Sequence, residues 1–247
     1  MSRPQPEQQA PPVQRLRLRY AKRGRLRFAS HRDFSRAFER ALVRARLPMA
    51  YSSGFNPHPR ISYAGAAPTG AASEAEYLEI GLAERVDPAE ALDRLRAVLP
   101  DGFDPLLVVE SPGGALADRL QASRWRVELG VDADAGRRAV EAFLAAPEVQ
   151  VSRMTKKGIR EFDARGAVLR LVEAGPADEP ADDAPGRGEG LILEVWLRHQ
   201  EPAVRPDDVL SGLRRVGDLP DSAPPRLTRL EQGTWDDATG SIGDPLG

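Results

Sequence analysis

The 247-residue chain is 41% apolar, enough to build an ordinary core in one large domain or two small ones, and it holds no cysteine. That excludes a disulfide framework, a thiolate-held zinc and an iron–sulfur cluster carried by this chain alone. The net charge of −2 conceals a split. Residues 1–60 carry 14 Arg or Lys against Glu7, Asp33 and Glu39, a balance of +11, whereas the remainder has 21 basic and 34 acidic residues, or −13. Such asymmetry points to an anionic partner. Of the 35 basic residues all but Lys22, Lys156 and Lys157 are arginine, so location rather than abundance carries the signal.

Residues 1–12 read as a disordered Pro/Gln-rich tail, with no hydrophobic stretch of a signal peptide. No run of about 18 apolar residues follows, so the expected place is the cytoplasm, away from membranes. "VQRLRLRYAKRGRLRF" alternates Val13, Arg15, Arg17 and Arg19 against Leu16, Leu18 and Tyr20, a strand that continues as a hairpin or past a bulge toward Leu26 and Phe28. "SHRDFSRAFERALVRARLP" predicts a helix with Ser30 as cap, Asp33 in the capping-box position and Pro48 as its stop. Apolar residues at 34, 37, 38, 41, 42 and 45 mark one face. "RISYAGAAPTG" and "EAEYLEIGL" read as strands, "DPAEALDRLRAVLP" as a helix capped by Asp87, and "FDPLLVVE" as a strand.

The second half repeats this order. "ASRWRVELGV" reads as a strand, "DADAGRRAVEAFLAA" as a helix and "EVQVSRM" as a strand, and "TKKGIREFDARGAVLRLV" stays ambiguous. "GLILEVWLRH", "RPDDVLSGLRRV" and "PRLTRLEQ" read as strand, helix and strand. The expected class is α+β, with tandem ferredoxin-like (βαββαβ) halves and antiparallel sheets over residues 13–112 and 119–235. The acidic Pro/Gly-rich insert 173–189 is expected to be disordered, and 236–247 to be a loose tail. Trp125 and Trp196 sit inside apolar strand patterns and read as core, and His199 reads as structural.

Arg32, Arg36, Arg40 and Arg44 stand four apart, so they stack along the helix face opposite Phe34, Phe38 and Leu42. Like charges at that spacing repel by about 0.2–0.5 kcal/mol per pair. A bound polyanion offsets this; a solvated Arg-rich surface is the competing reading. The loop "SGFNPHPRIS" that follows is stiffened by Pro57 and Pro59 and hinged at Gly54. It offers Phe55 for stacking, Asn56 for base edges, and His58 and Arg60 for phosphate, with Tyr51 and Tyr63 beside it. Alternatively Phe55 packs into the core and His58 bonds a backbone carbonyl. His31 opens the helix, where free N–H groups favour an anion. His31 and His58 also form a candidate acid/base pair for metal-independent RNA cleavage, and with Asp33 a weaker candidate for metal. Lys156, Lys157 and Arg160 read as a basic hairpin tip or as solvated charge.

The run from Arg19 to Ile80, above all "RFASHRDFSRAFERA" and "YSSGFNPHPRIS", resembles the bacterial radical-SAM-associated (radical-SAM-linked) protein family, a domain of unknown function. The resemblance is strong over residues 15–110 and weaker over 110–231. It implies a domain fused to, or encoded beside, a radical S-adenosylmethionine protein, and a hint of RNA from neighbouring genes for ribosomal proteins and an RNA-degrading enzyme. Arg32 stands where an aliphatic residue is expected, which implies a more exposed helix start. In architecture, tandem ferredoxin-like domains with a basic groove also look like the CRISPR-RNA-processing endoribonucleases, which cleave RNA without metal.

Together these readings predict a non-catalytic accessory protein that binds RNA and presents it to a radical-SAM partner, with no cofactor and no metal of its own. The expected contacts are Lys22, Arg25, Arg27, Ser30, His31, Arg32, Arg36, Arg40, Tyr51, Phe55, Asn56, His58 and Arg60. The alternatives are the His31/His58 ribonuclease and a protein–protein adaptor without nucleic acid.

Overall fold

The computed structural model describes residues 8–155, 158–175 and 190–247. The chain divides into two compact units, one running to Arg119 and including Asp244–Gly247, the other spanning Leu120–Gly243. Both are mixed α+β, with four α-helices among the described residues.

The first unit contains β1 (Gln14–Lys22), α1 (His31–Arg44), β2 (Ile61–Ala64), β3 (Ala72–Leu82), α2 (Pro88–Arg96) and β4 (Phe103–Glu110). Its strands lie in the order β4-β1-β3-β2, every pairing antiparallel. The alternation of β1 sorts the strand's two faces. Leu16 sits opposite Ile80 and Leu18 opposite Leu78, and these leucines join Phe34, Phe38 and Leu42 of α1 and Ala91 and Leu95 of α2 in the core. Phe34 is the hub: its ring stacks on Tyr20 at 4.4 Å and meets Phe103 edge-on at 4.9 Å. Truncating it to alanine removes both contacts and costs about 3–5 kcal/mol. Beyond β1 the chain does not continue as strand. It forms a single 3-10 turn over Gly24–Phe28, because Arg23 N–H is drawn to Gly102 O and Leu26 N–H closes back on Arg23 O.

The second unit contains β5 (Ala122–Leu129), α3 (Ala133–Ala145), β6 (Gln150–Thr155), β7 (Gly158–Asp163), β8 (Val168–Glu173), β9 (Leu191–Arg198), α4 (Pro206–Gly217), β10 (Arg226–Asp236) and β11 (Ser241–Gly243). Its sheet runs β10-β5-β9-β8, again antiparallel, with β11 on β10, while β6 and β7 pair only with each other. The ambiguous segment therefore supplies two strands, and β8, not the "EVQVSRM" strand, takes the place beside β9. Trp125 and Trp196 are buried, the latter with Arg124 and Arg170 over its ring.

The C-terminal stretch is not loose. Ser241–Gly243 forms β11, and in the first unit Leu246 is 1% exposed while Pro245 O accepts from Arg17 and Gly247 O from Arg119. Of the N-terminal tail, 1–7 lie outside the described residues, and so do 176–189 of the acidic insert and Lys156 and Lys157.

Candidate nucleic-acid interface

Helix α1 begins as its sequence dictates. Ser30 Oγ accepts from Asp33 N–H at 3.2 Å and donates to Asp33 Oδ2 at 2.7 Å, and the Ser30 N–H reaches the same carboxylate. These bonds from Ser30, helped by the charges of Arg36 and Arg32, hold the Asp33 carboxyl below its ordinary range. Ser30 and Asp33 are thus engaged with each other in capping the helix. The face holding Phe34, Phe38, Ala41 and Leu42 is buried. On the opposite face Arg32, Arg36, Arg40 and Arg44 are all exposed, and none makes an ion pair or side-chain hydrogen bond among the described residues. Val43 lies bare beside them at 72% exposure.

The arginines of β1 behave differently. Arg15 and Arg17 both bind Glu79, at 3.2 and 3.1 Å, and Arg17 is wholly buried, its Nη2 donating to both Gly113 O at 2.8 Å and Gly114 O at 2.9 Å. Arg19 donates to Glu74 O, and Arg23 pairs with Glu74 and with Asp104. Lys22 is 5% exposed, with its ammonium against Pro68 O and Ala67 O. It is therefore enclosed and not offered to RNA, whereas the alternation that buries Leu16 and Leu18 sends Arg15, Arg17 and Arg19 onto a face supplied with carboxylates and carbonyls. Arg15, Arg17 and Arg23 are thus ion-paired, and among the described residues α1 carries a row of four arginines that are not. Nearby, Arg25 is exposed and Arg27 lies over the Phe28 ring at 4.7 Å.

The loop after α1 is closed by backbone bonds. Ser52 N–H donates to His58 O at 2.8 Å, Arg60 N–H to Ala50 O at 2.8 Å, and Tyr51 bridges Pro59. The neck leans on β3 through Ala50 N–H to Gly81 O and Gly81 N–H to Arg60 O. Gly81 is required there: a Cβ would come within 2.9 Å of Pro12 Cγ. At the tip Gly54 takes φ 126, a left-handed value that side chains resist. The tip residues Phe55, Asn56, Pro57 and His58 are all exposed, Phe55 at 64%, so Phe55 is not a core residue. Tyr51 is also exposed. Arg60 turns inward instead, its Nε donating to Tyr51 O at 3.1 Å, and serves the neck.

The two histidines are held separately. His31 is exposed, its ring edge-on to Tyr63 at 4.8 Å and its Nδ1 at 3.4 Å from Ser35 Oγ. Burial pushes the Tyr63 phenol up. The His58 imidazole makes no hydrogen bond among the described residues; only its backbone is engaged, by Ser52. No described contact joins the two rings. No group of three His, Asp or Glu side chains among the described residues is placed to hold a metal ion.

The far end of α1 opens a groove. After Ala45 the helix closes with Arg46 at φ 53, Arg46 N–H reaching Val43 O at 3.1 Å and Leu47 N–H reaching Leu42 O at 3.2 Å. Glycine is the usual residue at such a closure, and a side chain there costs about 1–2 kcal/mol. A groove of about 600 Å³ is lined by Arg44, Ala45, Arg46, Arg94, Ala97 and Val98. It adjoins a second, of about 360 Å³, which shares Arg44, Ala97 and Val98 and adds Arg40. Arg94 pairs with Glu90 and donates to Arg46 O at 3.3 Å. Arg44 lies on the four-residue spacing legible in the sequence. Arg46 and Arg94 do not, since a left-handed turn and the placement of α2 bring them to the groove.

No curated protein matches the chain. A family model described as an uncharacterized protein conserved in bacteria (DUF2344) matches residues 15–206, most of the chain, and the protein belongs to that family.

Proposed function

We propose that this protein is a non-catalytic RNA-binding accessory subunit that grips RNA along the arginine face of α1, beside the Phe55 loop, and presents it to a radical-SAM enzyme. The observation that carries the reading is the contrast between two sets of arginines. Arg15, Arg17 and the adjoining Arg23 are ion-paired and Arg19 is bonded to a carbonyl, whereas Arg32, Arg36, Arg40 and Arg44 form a row with no ion pair among the described residues, whose mutual repulsion a bound polyanion relieves. Arg25 and the exposed tip residues Tyr51, Phe55, Asn56 and His58 supply further charge, stacking surface and hydrogen-bonding groups. The radical-SAM partner rests on the family resemblance. Each unit is read as a ferredoxin-like fold, which the equivalent strand orders β4-β1-β3-β2 and β10-β5-β9-β8 support.

The test is filter binding of labelled single-stranded RNA across a salt series, with the wild-type chain and an Arg36→Glu/Arg40→Glu variant. Wild-type affinity should fall steeply with salt, and the variant should bind at least about tenfold more weakly with a shallower salt slope. Salt-independent binding, or an unaffected variant, overturns the proposal. Failure to retain RNA, with a radical-SAM protein captured by the wild type and lost by the variant, replaces it with the adaptor. RNA ends bearing 2′,3′-cyclic phosphate in EDTA, abolished by His31→Ala, replace it with the ribonuclease.

A further inference from the structure

We propose that Arg46 is an RNA-contacting residue and that the groove it walls with Arg44 seats a phosphate of a single strand running off the end of α1. This rests on the reading of the α1 face as RNA-binding and adds a substrate class to it. The first argument is conformational. Arg46 holds φ 53 at a helix closure that glycine takes freely, and its guanidinium makes no ion pair or hydrogen bond among the described residues. Among the described residues the other non-glycine at positive φ is Asp218, of a type that enters the left-handed region more readily. A cation at the carbonyl end of α1 does not call for Arg46, since Arg44 in the last turn already supplies one there.

The second argument is shape and charge. Arg44 and Arg46 face one concave space floored by Ala45, Ala97 and Val98, small apolar groups that leave room for a sugar edge while the phosphate meets the guanidinium groups. The neighbouring groove carries the path on to Arg40. A single strand can lie along this depression. A duplex carries its phosphates on the outside of a wide cylinder, and it reaches the arginine ridge without entering the groove.

The experiment uses the full chain with Arg46→Gly and Arg46→Lys, oligouridylate as the single-stranded probe and an RNA hairpin as the duplex probe. Arg46→Gly should raise the midpoint of thermal unfolding by about 2–4 °C. It should also weaken oligouridylate binding about three- to tenfold and reduce the slope of log K against log salt by about 0.7, the value for one phosphate contact on a single strand. Arg46→Lys should keep the slope, and hairpin binding should not change in either variant. A more stable variant that binds single strands so weakly cannot owe its loss to misfolding. Unchanged affinity and slope in Arg46→Gly overturn the inference, as does a lowered midpoint, which makes Arg46 a structural residue. Equal losses on hairpin and oligouridylate overturn the single-strand assignment. Loss of all RNA binding by the wild type strikes the α1 reading itself, which the Arg36→Glu/Arg40→Glu variant reports independently.

Discussion

Glu79 is the residue on which the cations of β1 depend. One oxygen accepts from Arg15, the other from Arg17 Nε and from Ser111 Oγ at 2.8 Å. Removing that carboxylate leaves the wholly buried Arg17 with carbonyl acceptors from Gly113, Gly114 and Pro245 but no counter-charge. Breaking a buried pair on one side costs about 3–5 kcal/mol. Glu79→Ala should therefore lower the urea midpoint by that equivalent, while Glu79→Ala combined with Arg17→Met should recover part of the loss. A single variant within about 1 kcal/mol of wild type would show that water reaches Arg17. The sequence made the alternation of β1 plain, yet gave no sign that Arg17 is interior, because what covers it comes from residues 113–114 and 245, remote in the chain.

At the scale of elements, legibility followed locality. Helix α1 was readable in its cap and apolar period, which lie within a short run of residues, but not in its end, which comes at Arg44 and the left-handed Arg46 and not at Pro48. Strand β6 was legible too, but the segment holding β7 and β8 was not, because in β7 Ile159 faces solvent opposite Met154 and so breaks the apolar alternation that marks a strand. The loop between α1 and β2 falls between these cases. Its glycine and prolines announced a shaped turn, but only the structure turns Phe55 outward and Arg60 inward. An exposed ring on a neck closed by backbone bonds contributes little to folding, so Phe55→Ala should leave the thermal midpoint within the small range of surface substitutions. If the ring stacks on a base, the same variant should lose about 1–3 kcal/mol of RNA binding. Unchanged binding would confine the interface to α1 and its groove, and a large fall in the midpoint would mean that the ring serves the fold after all.

For the molecule as a whole, folding and binding should answer to different solution variables. The proposed contacts are mainly guanidinium groups, which stay charged across the working pH range, so RNA affinity should follow salt and not pH. Stability has a titrating element in His199. Its Nδ1 lies 2.8 Å from Leu120 O and its Nε2 3.0 Å from Ser123 Oγ, which itself accepts from Trp125 Nε1 at 2.9 Å. This chain of bonds assigns the neutral ring with its proton on Nδ1. The residue as a whole is exposed, but its two ring nitrogens are turned onto Leu120 O and Ser123 Oγ, and desolvation there pushes the pKa down, the bond to Leu120 O opposing and the Arg229 charge adding. A depressed value in the folded state means that the unfolded chain takes up the proton first as pH falls. Stability from this group is then present above the ordinary histidine value of about 6.5 and is lost on acidification toward the lower folded value. His199→Gln keeps one donor and one acceptor without titrating. Urea midpoints measured from about pH 8 to pH 5 should decline below about 6.5 in the wild type and stay flatter in the variant, whereas RNA affinity at fixed salt should be level in both. Parallel midpoints would place the acid sensitivity elsewhere, and affinity that rises on acidification would show that His31 or His58 grips RNA through a protonated ring and not a neutral one.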